Sequence, residues 1–307
     1  MKYLITGCAG FLGTNLTKKI LKNGHKVIGI DNLYSGNQDN VDLFKNNNNY
    51  EFIEHNITEK INLKVDGIFN LACPASPVAY QNDPFLTLDT CYNGTLNILK
   101  LAEKNKAKIL HTSTSEIYGN PLVHPQKESY FGNVNTFGPR ACYDEGKRVA
   151  ETLVYNFKEK FNLNIRIVRI FNTYGPHMSK DDGRVISNFT NQALLNKDIT
   201  VYGNGQQTRS FCYVDDLISG IIKFYNQNRY MKPVNLGNNR ENKIEKIAKL
   251  IIQLTKSKSK IVFKNKPIDD PVKRKPNLNK IKKIINWEPK VELEDGLIKT
   301  INYFKKI

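Results

Sequence analysis

The sequence predicts an α/β protein, a doubly wound parallel sheet followed by a smaller C-terminal lobe. Three observations carry that reading. Apolar strand-like runs alternate with helical segments through residues 1–172, a pattern that argues for parallel pairing. The first run leads into Gly7-x-x-Gly10-x-x-Gly13 ahead of a helical segment, the context in which spaced glycines make a tight strand-to-helix turn. Beyond Asn172 the alternation loosens into turn-rich segments around further helices.

Residues 2–6 form a short apolar strand, too short for a leader peptide, and a helix is expected over 11–22. A second strand over 26–30 ends at Asp31. Strands over 50–54 and 67–71 follow, set apart by the polar tracts 46–49 and 56–63. A long helix over 89–105 leads to a strand over 108–112, and a helix over 143–161 to a strand over 165–170. The second lobe carries helices over 186–195, 215–226, 243–255 and 293–304, with strands interspersed. The expected division is a nucleotide-binding domain over 1–172 and a substrate lobe over 173–307, interleaved near their boundary. In open α/β sheets ligands bind beyond the carboxyl ends of the strands, so the junction of the two parts is the expected cleft.

Composition narrows the classes of function. With 307 residues the chain can bury a large core. No apolar run approaches the roughly 20 residues that span a bilayer. Its net charge of +17 raises nucleic-acid binding, but the lysines are dispersed and no nucleic-acid module accompanies them. A lysine-rich solvated surface is the plainer reading, and a positive field would also favour a polyanionic substrate. The cysteines Cys8, Cys73, Cys91, Cys142 and Cys212 lack metal-type pair spacing, which points to reduced thiols in the cytoplasm and no metal site.

The glycine motif has a specific use. Gly7, Gly10 and Gly13 permit a tight turn and close backbone approach, with the following helix N-terminus facing a pyrophosphate. Asp31 lies eighteen residues after Gly13, at the end of the second strand. A carboxylate there accepts hydrogen bonds from the adenosine ribose and repels a 2′-phosphate. No lysine or arginine adjoins it, so NAD is expected rather than NADP. The structural alternative is a plain strand–turn–helix corner.

Tyr143 and Lys147 lie four residues apart at the start of a helical stretch, and so share one helical face. A tyrosine has a pKa of about 10 and is a poor base, but a neighbouring cation favours its phenolate. Alone the pair reads as ordinary helix surface. With the glycine loop upstream and Thr112-Ser113-Thr114-Ser115-Glu116 between, it points to oxidation of a sugar or alcohol.

These motifs together resemble the extended short-chain dehydrogenase/reductase family acting on nucleotide sugars. Leu71-Ala72-Cys73-Pro74, His124-Pro125-Gln126, Arg140-Ala141-Cys142-Tyr143-Asp144-Glu145-Gly146-Lys147-Arg148 and Ile170-Phe171-Asn172-Thr173-Tyr174-Gly175-Pro176 are similar, more narrowly, to its UDP-glucuronate decarboxylases. The resemblance runs from about residue 2 to residue 297. It implies a Rossmann-type fold, UDP-glucuronate as substrate, recycled NAD, and a homodimer packed through the helices at 89–105 and 143–161.

Catalytic roles are implied for Thr114, Ser115, Glu116, Tyr143, Lys147 and Arg209. Tyr143 removes the 4-hydroxyl proton, Thr114 bonds the reacting oxygen, and the resulting 4-ketone turns the C5 carboxylate into a β-keto acid that loses CO2. Ser115-Glu116 after the threonine is the decarboxylase pattern. The 4,6-dehydratases carry Asp-Glu there, and simple 4-epimerases have no carboxylate. Beyond the glycines and Asp31, the resemblance assigns the cofactor to Phe11, Leu12, Asn32, Leu33, Tyr34, Ser35, Gly36, Asn56, Ile57, Leu71, Cys73, Thr90, Thr112, Tyr143, Lys147 and Thr173. It assigns the substrate to Asn172, Arg184, Val185, Tyr202, Gln207, Arg209 and Arg274, with Tyr202 near the base and Arg274 at the diphosphate or ribose. Asn56, Asp89, Cys91, His177 and Asn277 depart from the usual residues, which are aspartate, lysine, asparagine, arginine and aspartate. Rival outcomes on the same fold are a UDP-uronic acid 4-epimerase and an enzyme releasing the UDP-4-keto-pentose. A non-catalytic NAD sensor is the rival of another class.

Overall fold

The computed structural model describes every residue of the chain except 229, 267 and 272. Its centre is a seven-stranded sheet whose pairs are all parallel. Six strands come from residues 1–172: β1 (Lys2–Thr6), β2 (Lys26–Asp31), β3 (Tyr50–Glu54), β4 (Gly67–Asn70), β5 (Lys108–Thr114) and β6 (Ile165–Ile170). The spatial order is β3-β2-β1-β4-β5-β6, followed by the strand Val234–Leu236. The order reverses between β1 and β4, and that switch point opens a crevice above their carboxyl ends.

The strands are apolar on both faces because both faces are covered. On one side Leu16 and Ile20 of the helix Phe11–Lys22 and Ile221 and Phe224 of the helix Val214–Asn226 pack with Ile5, Val27 and Phe69. On the other, Ile98, Leu99 and Ala102 of the helix Thr95–Asn105 and Val154 of the helix Ala141–Phe161 pack with Leu4, Ile28, Ile68 and Ile109. After residue 172 the chain re-enters this layer. The helix Val214–Asn226 lies on the sheet, and Val234 pairs with Val168 of β6.

Several boundaries move for identifiable reasons. The helix expected from residue 89 begins at Pro84, because the Asp83 side chain accepts from the Leu86 amide at 2.8 Å and proline suits a first helical turn. That run passes through a π-helical turn, Thr90–Gly94, before continuing as Thr95–Asn105. The helix expected from Tyr143 starts at Ala141. β5 extends past Thr112 to Thr114, carrying both threonines to the crevice. The C-terminal helices Val185–Leu194, Val214–Asn226, Ile244–Thr255 and Leu293–Phe304 lie within a residue of expectation. The short elements there were not resolved in sequence. The strand Thr208–Ser210 lies between Glu241–Lys243 and Lys273–Arg274, and Ile199–Tyr202 pairs with Ile261–Lys264.

Candidate active site

One cleft of about 1360 Å³ runs across the switch point and under the C-terminal lobe. Its first end is built by the glycine turn. A Cβ on Gly13 would lie 2.0 Å from the Gly7 carbonyl oxygen, and one on Gly7, whose φ is +69°, would meet the Ala72 amide at 2.9 Å. The helix Phe11–Lys22 starts at Gly10 with no side-chain cap, leaving its first amides for an anion. Asp31 is buried at the rim and accepts from the amides of Ala9 at 3.0 Å and Leu33 at 2.9 Å. Burial pushes its carboxyl up while these amides pull it back. The uncapped helix, the glycine cradle and the acid match the chemical groups of NAD.

Phe11, Leu12, Asn32, Tyr34, Ser35, Gly36, Asn56, Ile57, Leu71, Cys73, Thr90, Thr112 and Thr173 line the cleft with the glycines and Asp31. Leu33 does not: it is in the left-handed region at φ +58° and acts through its amide on Asp31. The Asn56 side chain accepts from the Thr58 amide at 3.1 Å, a role the usual aspartate would also fill.

In the middle of the cleft the long helix Ala141–Phe161 presents Tyr143 and Lys147 against the end of β5. Tyr80 stacks on the Tyr143 ring, with centroids 5.0 Å apart and planes 5° from parallel. The Thr114 hydroxyl lies beside the phenol and pulls its pKa down. Lys147 donates to the Thr112 carbonyl at 3.0 Å and faces the Cys73 thiol. The expectation that Lys147 draws the phenol toward neutrality is corrected. Burial pushes Tyr143 well above the tyrosine range, and the anionic Glu116 adds to it. Stacking under Tyr80 removes water from the phenol, and the ammonium donates its hydrogen bond to the Thr112 carbonyl.

The far end is a charge cluster. The Ser115–Tyr118 turn follows β5 directly, and the Thr114 hydroxyl caps it by accepting from the Glu116 amide at 3.2 Å. Glu116 is gripped by Arg140 at 2.5 Å and Arg274 at 3.1 Å, and Ser115 donates to its other oxygen at 3.3 Å. Burial would raise this carboxyl, but Arg274, Arg140 and Arg209 outweigh it and hold it at about 2. Arg274 is 1% exposed and also donates to the Ser115 carbonyl at 2.6 Å, so it sits at the catalytic turn. Its strand pairs in register with Thr208–Ser210, setting Arg274 beside Arg209. Arg209 is paired with Asp270 at 3.0 Å.

Asn172, Arg184, Val185, Tyr202 and Gln207 line the same cleft. Arg184 is held by Asp182 at 2.5 Å, and Gln207 donates to the Tyr202 carbonyl at 2.5 Å. Asp89 is outside the lining; it accepts from the Asn93 side chain at 2.6 Å, so its departure from the usual lysine does not put a negative charge on the cleft wall. His177 lines the cleft against the Tyr303 ring, and burial, with Lys18, pushes its imidazole down to about 4. Sequence reasoning missed Tyr80, Arg140 and Asp182. Arg140 stood within a quoted motif and was the one within reach; nothing local marked Tyr80 or Asp182 as partners.

The family model described as GDP-mannose 4,6 dehydratase matches residues 4–300. UDP-glucuronic acid decarboxylase 1 of Xenopus tropicalis is 50% identical over 305 residues, covering 99% of this chain and 72% of that protein. UDP-glucuronic acid decarboxylase 6 of Arabidopsis thaliana is 48% identical over 298 residues, covering 97% of this chain and 87% of its own. Among solved structures, the UDP-glucuronic acid 4-epimerase of Bacillus cereus, in complex with UDP-glucuronic acid and NAD, superposes with a TM-score of 0.89 at 26% identity, covering 100% of this chain and 99% of that one. With a glycine turn, a Tyr143–Lys147 helix and a Ser115–Glu116 turn meeting in one cleft, and half its residues shared over nearly its whole length, the chain belongs to the extended short-chain dehydrogenase/reductase family, among the UDP-glucuronic acid decarboxylases.

Proposed function

We propose that the chain converts UDP-glucuronate to UDP-xylose and CO2. The observation that carries this reading is Glu116, held anionic by Arg140 and Arg274 within the same turn that delivers Thr114 to Tyr143. A 4-epimerase needs no such clamped carboxylate.

Gly7, Gly10, Phe11, Leu12, Gly13, Asp31 and the segment 32–36 hold the cofactor. NAD supplies a reversible two-electron acceptor for C4 of the sugar. Tyr143 takes the proton of the 4-hydroxyl while Thr114 hydrogen-bonds the oxygen, and Lys147 anchors the face on which they meet. Tyr143 enters that step as its phenolate, which burial makes the stronger base toward the hydroxyl, and the phenol so formed gives the proton back when the 4-ketone is reduced. Once C4 is a ketone, the C5 carboxylate is a β-keto acid. The bond to CO2 then breaks with its electrons delocalised into the carbonyl. Glu116 with Ser115 sets the sugar ring, and Arg209 faces the carboxylate and the C5 position that is reprotonated. Asn172, Arg184, Val185, Tyr202, Gln207 and Arg274 hold the UDP-sugar. Arginine suits such oxygens because its fork pairs two at once.

The active species is a homodimer in the cytoplasm. Phe85, Leu88 and Tyr92 on the run 84–94, with Val149 and Tyr155 on Ala141–Phe161, leave apolar side chains exposed on packed helices, a face suited to a second copy. Five free cysteines suit a reducing compartment.

The deciding experiment incubates the protein with UDP-glucuronate and NAD and separates the products. UDP-xylose with one CO2 per turnover is expected. UDP-galacturonate without CO2 would transfer the chain to the epimerases, the reading favoured by the Bacillus cereus likeness. Stoichiometric NADH with a 4-keto-pentose would mark the oxidative variant.

A further inference from the structure

We propose that Cys73 and Cys91 form a redox dithiol in the wall of the cleft, which a peroxide closes to a disulfide. Their sulfurs lie 3.4 Å apart, so just over an ångström of side-chain motion brings them to a covalent distance of about 2.05 Å. The other thiols point elsewhere. Cys142 faces the Tyr80 carbonyl at 3.5 Å, Cys212 the Tyr213 carbonyl at 3.6 Å, and Cys8 the Tyr50 hydroxyl at 3.7 Å.

The two cysteines are unequally placed. Cys73 lines the cleft just after β4, within reach of a small oxidant, whereas Cys91 is 2% exposed behind it. Cys91 belongs to the π-helical turn Thr90–Gly94, a widened turn of the kind that often marks functional positions. The helix Ala141–Phe161 closes its far side: a Cβ on Gly146 would come within 3.0 Å of the Cys91 sulfur. Lys147 faces Cys73 on the near side. A hydrogen bond from Cys91, opposed by burial and aided by Lys147, draws the Cys73 thiol down to about 7. A thiolate beside a cation is the reactive form of cysteine.

The steps balance. The Cys73 thiolate attacks a peroxide oxygen; an S–O bond forms, the O–O bond breaks, hydroxide leaves, and the sulfur is oxidised to a sulfenic acid. Cys91 then attacks that sulfur; an S–S bond forms, the S–O bond breaks, and water departs with the Cys91 proton. Two thiols and one hydrogen peroxide become one disulfide and two waters. An added dithiol reverses it. Closure takes from Lys147 the sulfur it faces and draws Cys73 toward the turn behind Thr90, both on the cleft wall. Loss of turnover on closure rests on the decarboxylase reading; the disulfide itself does not.

Trypsin leaves both cysteines on one peptide, residues 65–100, bounded by Lys64 and Lys100. The purified chain is treated with hydrogen peroxide, blocked with an alkylating reagent, digested and weighed, and turnover is followed in parallel. The expected peptide is unalkylated and lighter by two hydrogens, and turnover falls and returns with dithiothreitol. Cys91→Ser turns over like the wild type before treatment; after it, Cys73 oxidises past the sulfenic acid and dithiothreitol restores nothing. A doubly alkylated peptide after treatment, or the same reversible loss in Cys91→Ser, overturns the proposal. The mass reading decides it even if UDP-glucuronate proves not to be the substrate.

Discussion

The cofactor end of the cleft is assembled from near neighbours, Gly7 to Gly13 with Asp31 to Gly36, all within one strand–helix–strand unit. The sugar end draws on the whole chain: Glu116 meets Arg140 24 residues on and Arg274 158 residues on. The first end works through backbone, using bare amides and close approaches that only glycine allows. The second works through side-chain charge, and its groups acquire their character from one another. Removing one glycine should therefore damage a local shape, whereas removing one member of the charge cluster should alter the behaviour of the rest.

The largest effect is expected at the seam between the two ends. Tyr143→Phe should lower turnover by about 10²–10⁴-fold, the usual worth of a positioned acid–base group, while NAD binding by fluorescence titration is unchanged. Retained turnover would remove Tyr143 from the proton-transfer role.

Gly13→Ala tests the backbone end. A methyl 2.0 Å from the Gly7 carbonyl cannot be accommodated without shifting the turn. We expect a loss of stability of about 1–3 kcal/mol or more by denaturant unfolding, together with weakened NAD binding. An unaltered NAD affinity would mean that the cradle is not where the cofactor sits.

Glu116→Gln tests the charge end through pH. The Glu116 carboxyl is held at about 2, below its ordinary value of 4.5. Its contribution to stability is thus fully present above pH 4.5 and is lost as pH falls from 4.5 toward 2. The melting temperature of the wild type should exceed that of the variant at neutral pH, and the gap should narrow across that acid window. A gap that does not change with pH would show that the arginines do not depend on this charge.

The smallest effect is expected outside both ends. Arg240 and Glu292 form an ion pair with both side chains more than half exposed, and such pairs contribute little. Arg240→Ala should leave the melting temperature and kcat/KM unchanged within error; a marked fall in kcat/KM would extend the site beyond the cleft.

Much of the sheet was legible because its signals are local. β1, β3, β6 and the helix Leu293–Phe304 have the bounds that apolar runs and their polar flanks indicate. The helix start at Pro84 lies outside the apolar periodicity that marks 89–105, although Asp83-Pro84 is itself a local cap signal. The short C-terminal strands carry no such signal. Lys273–Arg274 is two residues long and is a strand only because Thr208–Ser210 lies alongside. At the site, the four-residue spacing marked Tyr143 and Lys147 and the family resemblance marked Thr114 and Glu116, and the cleft holds all four. Neither could reveal Tyr80 stacked on the phenol or Cys73 turned toward Cys91, since those contacts join segments with no common local pattern.

Strand alternation, the glycine turn, the acid after the second strand and the four-residue spacing of Tyr143 and Lys147 are all written along the chain, because each depends on residues adjacent or one turn apart. The state of the groups is not. The fold alone makes Glu116 a firm anion, pushes the Tyr143 phenol up and draws the Cys73 thiol down. Burial and the charges around a group belong to its position in three dimensions, and distant parts of the chain supply both.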